Sequence, residues 1–142
     1  MKVYFDTSAL VTALVEQLPN HEAALSCLAA ACRDHVVIIS THGLAETYAT
    51  LTALPLPRRI QPGEARAMIA EGLRKKVSVQ TLPTRLYERA IDRVAARGMA
   101  SGAIYDALHV ECAEAAGCQR LYTYNLSHFE RLGPGDWKLL AP

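Results

Sequence analysis

Short apolar runs alternate with longer segments of helical character along the whole chain, and this alternation limits the fold more than any other feature. The first run, Val3–Phe5, ends at an aspartate, and the second, Val36–Ser40, ends at two hydroxyl residues. Strands that alternate with helices in this way are typical of a parallel sheet covered by helices. The pattern therefore predicts an α/β fold.

Turn and capping residues divide the chain into predicted elements. The predicted strands are Lys2–Asp6, Val36–Ser40, Lys76–Thr81, Arg120–Tyr124 and Trp137–Leu140. The predicted helices run from Thr7 or Ser8 to Glu16, Asn20 to Arg33, Thr41 to Leu54, just after Pro62 to Arg74, Pro83 to Arg97 and Ile104 to Ala116. Because no repeat or flexible linker interrupts them, we predict a single domain, residues 1–142, with a mostly parallel sheet of about five strands flanked by helices.

Composition excludes several classes of protein. Of the 142 residues, 51% are hydrophobic and 20% are charged, which is ordinary for a compact domain. No apolar run approaches the ~20 residues that cross a bilayer, and the amino terminus lacks the pattern of a secretory signal. We therefore expect a cytoplasmic protein without membrane contact. Its four cysteines form no CxxC motif and are expected to be buried thiols.

Basic residues form one stripe although the formal net charge is only +1. Arg85, Arg89, Arg93 and Arg97 recur at every fourth position of one predicted helix. Such stripes usually face solvent, and acidic residues of the same helix are spaced to neutralise this one in part. We keep Arg85, Arg89 and Arg93 as candidate contacts with the phosphates of a nucleic acid, with a solvated face as the alternative.

Three carboxylates occupy positions of interest for chemistry. Asp6 directly follows the first strand, Glu46 lies one turn into the third helix, and Asp106 lies in the first turn of the last predicted helix. Asp106 shares a helical arc with apolar residues, whereas Glu111 and Glu114 of the same helix are expected to face water. Simpler roles exist for each acid: a helix cap for Asp6, interaction with the helix amino terminus for Asp106, and surface exposure for Glu46.

In parallel sheets, ligands bind where the carboxyl ends of the strands meet the following helices. Asp6 and the pair Tyr124–Asn125 lie at such ends. If the three acids converge there, their mutual repulsion makes the site unstable without a cation. Carboxylate oxygens suit Mg²⁺ or Mn²⁺, which can activate a water and stabilise an in-line phosphoryl transfer. The chemistry implied is hydrolysis of a phosphodiester.

Four segments resemble the PIN-domain nucleases, particularly the VapC-type toxins of toxin–antitoxin pairs. They are FDTSALV at Phe5–Val11, LAETYATL around Glu46, YDALHVECA at Tyr105–Ala113 and LYTYNLSHFERL at Leu121–Leu132. The segments occur in the order and spacing of that family and span almost the whole chain. The resemblance implies a parallel α/β fold and a metal-dependent endoribonuclease.

Position within these motifs implies individual roles. The resemblance makes Asp6, Glu46 and Asp106 the catalytic carboxylates that hold Mg²⁺ or Mn²⁺. It implies that Ser8 hydrogen-bonds near the metal or its water, and that Thr123 orients a carboxylate.

The last motif departs from the family at one position. Many members have aspartate where this chain has Asn125, which keeps an oxygen acceptor and adds no charge. Three formal negative charges then remain, and this favours one tightly bound metal. His128, close by, is a further candidate RNA contact, with an exposed loop histidine as the alternative.

The resemblance also implies partners: a homodimer, and a cognate antitoxin whose carboxyl-terminal segment lies over the active site. The apolar helices 20–33 and 41–54, with the Pro55–Pro57 turn, are the surfaces expected for it.

The favoured function is a Mg²⁺- or Mn²⁺-dependent endoribonuclease toxin of a type II pair, which hydrolyses RNA with a metal-activated water. Two alternatives stay open: an RNA-processing PIN nuclease without an antitoxin, and a non-cleaving module that binds RNA or a protein.

Overall fold

Five strands form one sheet in the order β3-β2-β1-β4-β5, and every neighbouring pair is parallel. The computed structural model describes residues 1–142. Its strands are β1 (Lys2–Phe5), β2 (Val36–Ser40), β3 (Ser78–Gln80), β4 (Arg120–Tyr122) and β5 (Lys138–Leu140). The predicted α/β class is confirmed, with a sheet that is parallel throughout.

Seven α-helices surround the sheet. They are α1 (Thr7–Leu14), α2 (His21–Asp34), α3 (Thr41–Ala53), α4 (Pro62–Ile69), α5 (Thr84–Ala96), α6 (Ala103–Ala116) and α7 (Leu126–Glu130). The prediction omits α7, because five residues are too few to show a helical period. A π-helical turn, Ala70–Arg74, continues α4 and completes the predicted fourth helix. None of these helices combines the length and apolar character that crossing a bilayer requires.

Polar residues at the ends of two strands cap the helices that follow. Asp6 caps α1, since its Oδ1 accepts a hydrogen bond of 2.9 Å from the Ala9 N–H. Ser40 caps α3 in the same way, and its Oγ accepts the Gly43 N–H at 2.8 Å. The predicted start of this helix at Thr41 is confirmed, and the last residue of β2 supplies its cap.

The sheet is covered on both faces, which explains the nearly continuous apolar character of its strands. Side chains alternate between the faces along a strand. In β1, Tyr4 packs in the core cluster that includes α5 and α6, whereas Val3 and Phe5 pack in the cluster that includes α1 and α2. A smaller cluster joins α1 to α3 and α4.

The register aligns the carboxyl ends of the central strands. Phe5 of β1 pairs with Tyr122 of β4, and Tyr4 pairs with Ile38 of β2. The Asp6 N–H continues the ladder to the Tyr122 carbonyl at 3.1 Å. The residues that follow β1 and β4 therefore lie side by side at one edge, which α6 also contacts.

The cysteines are free thiols, as predicted. Cys112 and Cys118 are buried, whereas Cys27 and Cys32 are only partly buried. Burial raises the pKa of Cys112 to about 12 and that of Cys118 to about 11. Both thiols therefore stay protonated at neutral pH and pack as small apolar side chains.

Candidate active site

Asp6 lies at the centre of the aligned edge and is only 2% exposed. Its Oδ1 accepts hydrogen bonds from Ser8 Oγ at 2.7 Å and from the Ala9 N–H, and its Oδ2 accepts one from Thr123 Oγ1 at 2.6 Å. Burial raises the pKa of Asp6 above its usual value, and the charge of His109 together with these hydrogen bonds only partly offsets the rise. The helix cap needs only the hydrogen bond from the Ala9 N–H to Oδ1. The hydrogen bonds from Ser8 and Thr123 therefore hold the Asp6 carboxylate more firmly than capping requires.

The Ser8 and Thr123 hydroxyl groups that donate to Asp6 are themselves held by backbone N–H groups. Ser8 Oγ accepts the Tyr124 N–H at 2.9 Å, and Thr123 Oγ1 accepts the Asn125 N–H at 2.9 Å. The two hydroxyl oxygens lie 3.2 Å apart. This network joins the end of β4 to the start of α1 and fixes the orientation of the Asp6 carboxylate.

Glu46 reaches from α3 across the site. Its Oε1 accepts hydrogen bonds from His109 Nε2 at 2.6 Å and from Thr7 Oγ1 at 2.9 Å, and His42 Nε2 lies 3.8 Å away. Burial raises the pKa of Glu46, but the hydrogen bond and charge of His109 and the Thr7 hydroxyl outweigh it, so the pKa lies below its usual value. Glu46 is partly exposed, so the alternative of a surface residue holds only in part, since its carboxylate is engaged by Thr7 and His109.

His109 connects Glu46 to the sheet. Its buried ring is hydrogen-bonded through Nδ1 to the Tyr4 hydroxyl at 2.8 Å and through Nε2 to Glu46. Burial lowers the pKa of His109, but the Glu46 hydrogen bond and the charges of Asp6, Glu46 and Asp106 raise it overall. His109 is not among the residues predicted for the site, although its position three residues after Asp106 places it near the same face of α6.

Asp106 projects from the first turn of α6, and its side chain is 23% exposed. His128 Nδ1 lies 3.4 Å from its Oδ2. Burial raises the pKa of Asp106, and repulsion by Asp6 and Glu46 adds to the rise, while His109 and His128 oppose it. The three acids therefore act on one another electrostatically, and the structure brings all of them to the same edge of the sheet.

The donor set of this site consists of hard oxygens, which suit Mg²⁺ or Mn²⁺. No three His, Cys, Asp or Glu side chains are gathered as a metal-binding group in this arrangement. Asp6 is engaged with its hydroxyls and Glu46 with His109 and Thr7. Mg²⁺ keeps several waters and needs only one or two carboxylates from the protein, so the residues present fit such an ion.

Two predicted residues border the site on α7. Asn125 is exposed and precedes the helix, and its side chain makes no capping hydrogen bond. His128 is 53% exposed beside Asp106 and lies on a helix rather than a loop. Of the two, His128 is the one in direct contact with Asp106, at 3.4 Å.

The arginine stripe lies against α6 instead of facing solvent throughout. Arg93 donates from Nε to Glu111 Oε1 at 2.8 Å, from a terminal nitrogen to Glu114 Oε2 at 2.9 Å, and from the other to the Leu132 carbonyl at 3.1 Å. Arg89 Nε donates to Glu111 Oε2 at 3.0 Å. The acids that neutralise the stripe thus come from the next helix.

The expectation that Glu111 faces water is wrong, because the side chain is 3% exposed beneath two arginines. Arg93 itself is only 14% exposed, so its guanidinium has little surface left for phosphate. Arg85 is exposed and forms no ion pair. Of the three arginines predicted to contact RNA, only Arg85 keeps its charge unpaired.

Comparisons with known proteins agree with this architecture. Residues 3–133 match the PIN domain family. Ribonuclease VapC40 of Mycobacterium tuberculosis is 34% identical over 116 residues, 82% of this chain and 81% of that protein.

Solved structures share the fold. Mycobacterium tuberculosis VapC20, a sarcin–ricin loop cleaving toxin, has a TM-score of 0.75 at 23% identity, over 94% of this chain and 97% of that one. VapBC2 from Rickettsia felis, bound to a DNA fragment from their promoter, has a TM-score of 0.74 at 17% identity, over 99% and 98% of the two chains. The chain described here belongs to the PIN domain family.

Proposed function

We propose that this chain is a divalent-metal-dependent endoribonuclease and the toxin of a type II toxin–antitoxin pair. The observation that most supports the proposal is the convergence of Asp6, Glu46 and Asp106 at the carboxyl edge of the sheet, where their charges interact. Similarity to a protein named a ribonuclease, over 82% of the chain, supports the choice of RNA as the substrate.

A bound Mg²⁺ or Mn²⁺ would supply an activated water and neutralise charge that develops on the phosphate. The chain itself supplies position. Ser8 and Thr123 hold the two oxygens of Asp6, and His109 holds Glu46. Groups fixed before the substrate arrives need no reorganisation during the reaction, which is the main way an enzyme lowers the barrier to phosphoryl transfer.

Asp106 is the acid most available to a cation. Its carboxylate accepts no hydrogen bond from the chain and has only the exposed His128 beside it, at 3.4 Å, whereas Asp6 and Glu46 each accept two or more short hydrogen bonds. Burial and the charges of Asp6 and Glu46 disfavour the ionised form of its carboxylate, and a bound cation would offset this penalty. We therefore assign Asp106 as the carboxylate that most directly holds the ion.

The proposal extends to partners. We propose that a cognate antitoxin covers the site and that two copies of the chain form a homodimer, as the family resemblance implies. The helices expected to contact the antitoxin each expose one large hydrophobic side chain, Leu25 on α2 at 45% and Tyr48 on α3 at 41%. If a small antitoxin is encoded beside this chain, co-expression of the two should give a stable complex without nuclease activity. Light scattering should give twice the mass of one chain for the free protein.

Cleavage of a mixed RNA pool tests the activity. We expect the chain to cut RNA with Mg²⁺ or Mn²⁺, and Asp106→Asn or EDTA to lower the rate by about a hundredfold or more. Asp92→Asn is the matched control, because Asp92 is an exposed aspartate on α5, away from the site. It should cut at the wild-type rate.

The outcomes separate the alternatives. Cutting that survives both EDTA and Asp106→Asn would contradict the proposed chemistry. Tight RNA binding without cutting would favour the non-cleaving module. Cutting by a chain whose expression leaves cell growth unchanged would favour an RNA-processing nuclease over a toxin.

A further inference from the structure

An aromatic pair borders the three acids. The rings of His42 on α3 and Tyr105 on α6 are stacked, with centroids 5.2 Å apart and planes 4° from parallel. Tyr105 is 49% exposed, whereas only 20% of the His42 side chain is exposed. We propose that the open face of Tyr105, backed by His42, is a stacking site for a base of the RNA whose phosphate lies at the acids. This inference rests on the proposed function and adds a contact that binds a base of the RNA substrate.

The pair is tied to two of the acids. Tyr105 directly precedes Asp106, so their Cα atoms are about 3.8 Å apart. His42 lies one helical turn before Glu46, and its Nε2 is 3.8 Å from Glu46 Oε1. A nucleotide whose phosphate reaches the acids therefore has its base within reach of the Tyr105 ring.

Stacking, and not hydrogen bonding, holds the His42 ring. Its Nε2 is buried and has no hydrogen-bond partner. The ring contacts Tyr105 on one side and lies edge-on to the buried His109, with centroids 6.5 Å apart. Because His42 covers one face of Tyr105, the exposed area of the tyrosine must lie on the rest of the ring. His42 thus supports the ring from one side, and the proposal assigns the base to the other side.

The charge around the site favours RNA binding through contacts other than ion pairs with phosphates. Three carboxylates repel a phosphate backbone, the chain has a formal net charge of only +1, and Arg89 and Arg93 are paired with Glu111. Bases of single-stranded RNA stack on exposed aromatic rings, and such stacking tolerates any sequence because every base has a π face. A stacking site would therefore supply affinity that the available cations do not.

Exposure alone does not identify the site. Tyr48 and Tyr87 are exposed to a similar degree, at 41% and 39%, but neither has a stacked aromatic neighbour. Tyr105 is the exposed tyrosine that combines a supporting ring with direct connection to an acid. Tyr87, on α5, is therefore the matched control position.

Binding of two labelled oligomers in EDTA tests the inference without cleavage. One is a short single-stranded RNA of mixed sequence, and the other is a ribose-phosphate chain of the same length and charge that lacks bases. By fluorescence anisotropy, we expect wild type to prefer the RNA by about five- to hundredfold. Tyr105→Leu, which keeps an apolar side chain but has no π face, should lose most of this preference. Tyr105→Phe and Tyr87→Leu should keep it.

A second readout reports the stacking itself, at protein concentrations where the anisotropy shows that the RNA is bound. RNA that contains 2-aminopurine should lose fluorescence when it binds wild type or Tyr105→Phe, because stacking quenches this base, and should stay bright with Tyr105→Leu. Equal affinity of wild type for the two oligomers, no measurable binding of either, or an unchanged preference in Tyr105→Leu would each overturn the inference. The same holds if Tyr105→Leu weakens only a complex with a protein partner.

The result is separable from the nuclease proposal. Base preference that depends on Tyr105, in a chain that never cuts RNA, would support the stacking site and refute the nuclease. Metal-dependent cutting without such a preference would support the nuclease and refute the stacking site.

Discussion

Replacement of Arg93 by alanine should destabilise the folded chain without a selective effect on RNA binding. The guanidinium joins α5 to two glutamates of α6 and to the Leu132 carbonyl. Glu111 is 3% exposed and would keep only Arg89, whose side chain is 59% exposed. The substitution therefore removes the better-shielded partner of a buried charge.

The size of the effect follows from the environment of each contact. The charged hydrogen bond to Glu111 is worth about 1.5–3 kcal/mol, because one partner is buried. The pair with Glu114, which is 25% exposed, adds about 0–1 kcal/mol. With the carbonyl contact included, we expect the free energy of unfolding to fall by about 3 kcal/mol. For a chain of 142 residues this lowers the unfolding temperature by about 10 °C.

Urea and thermal unfolding measure the loss, and RNA affinity is measured alongside. Arg85→Ala is the control, because Arg85 is exposed on the same helix without an ion pair, and it should change stability by less than about 0.5 kcal/mol. Glu111→Gln should cost less in the Arg93→Ala background than in wild type, because the two residues interact. If Arg93→Ala unfolds like Arg85→Ala but binds RNA more weakly, the structural assignment of Arg93 is refuted.

Three further outcomes test the site and the core. Burial and repulsion by the neighbouring acids raise the pKa of Asp106, so without metal its ionisation lowers stability. Asp106→Asn and wild type should therefore unfold alike near pH 4, and the variant should become the more stable as pH rises to 7; greater stability of wild type at pH 7 would contradict this. His109→Phe removes the 2.6 Å hydrogen bond to Glu46 and should lower the cleavage rate about 10–100-fold, and an unchanged rate would exclude a positioning role. A thiol reagent should label Cys112 and Cys118 only after unfolding, because both are buried, and mass spectrometry of peptides measures the labelling. Rapid labelling of these two cysteines in the native chain would contradict their burial.

Much of the fold follows from local pattern. The ends of β1 and β2 are marked by Asp6 and Ser40, whose side chains cap the following helices, so strand end and helix start are encoded together. In a parallel sheet this also places Asp6 at the edge where ligands bind. The motif around Asp6 is therefore informative about both fold and site.

Other features depend on contacts between distant segments and cannot be obtained from one helix at a time. The helical period of α6 places Glu111 on a polar arc, but whether that arc meets water or another helix is decided by the packing of α5. The same limit applies to His109, whose partners Tyr4 and Glu46 lie 105 and 63 residues away along the chain. The short helix α7 forms without a periodic signal of its own.

Asp6 has a structural role as well as its proposed catalytic one, and this affects which residue is best replaced to make an inactive form of the chain. Its carboxylate both starts α1 and joins that helix to β4 through Ser8 and Thr123, so Asp6→Ala should remove a helix cap together with the charge. Much of such a protein would be lost to proteolysis in a cell. Asp106 has no comparable structural duty, so Asp106→Asn is the better bait for capturing the RNA that the intact chain would destroy.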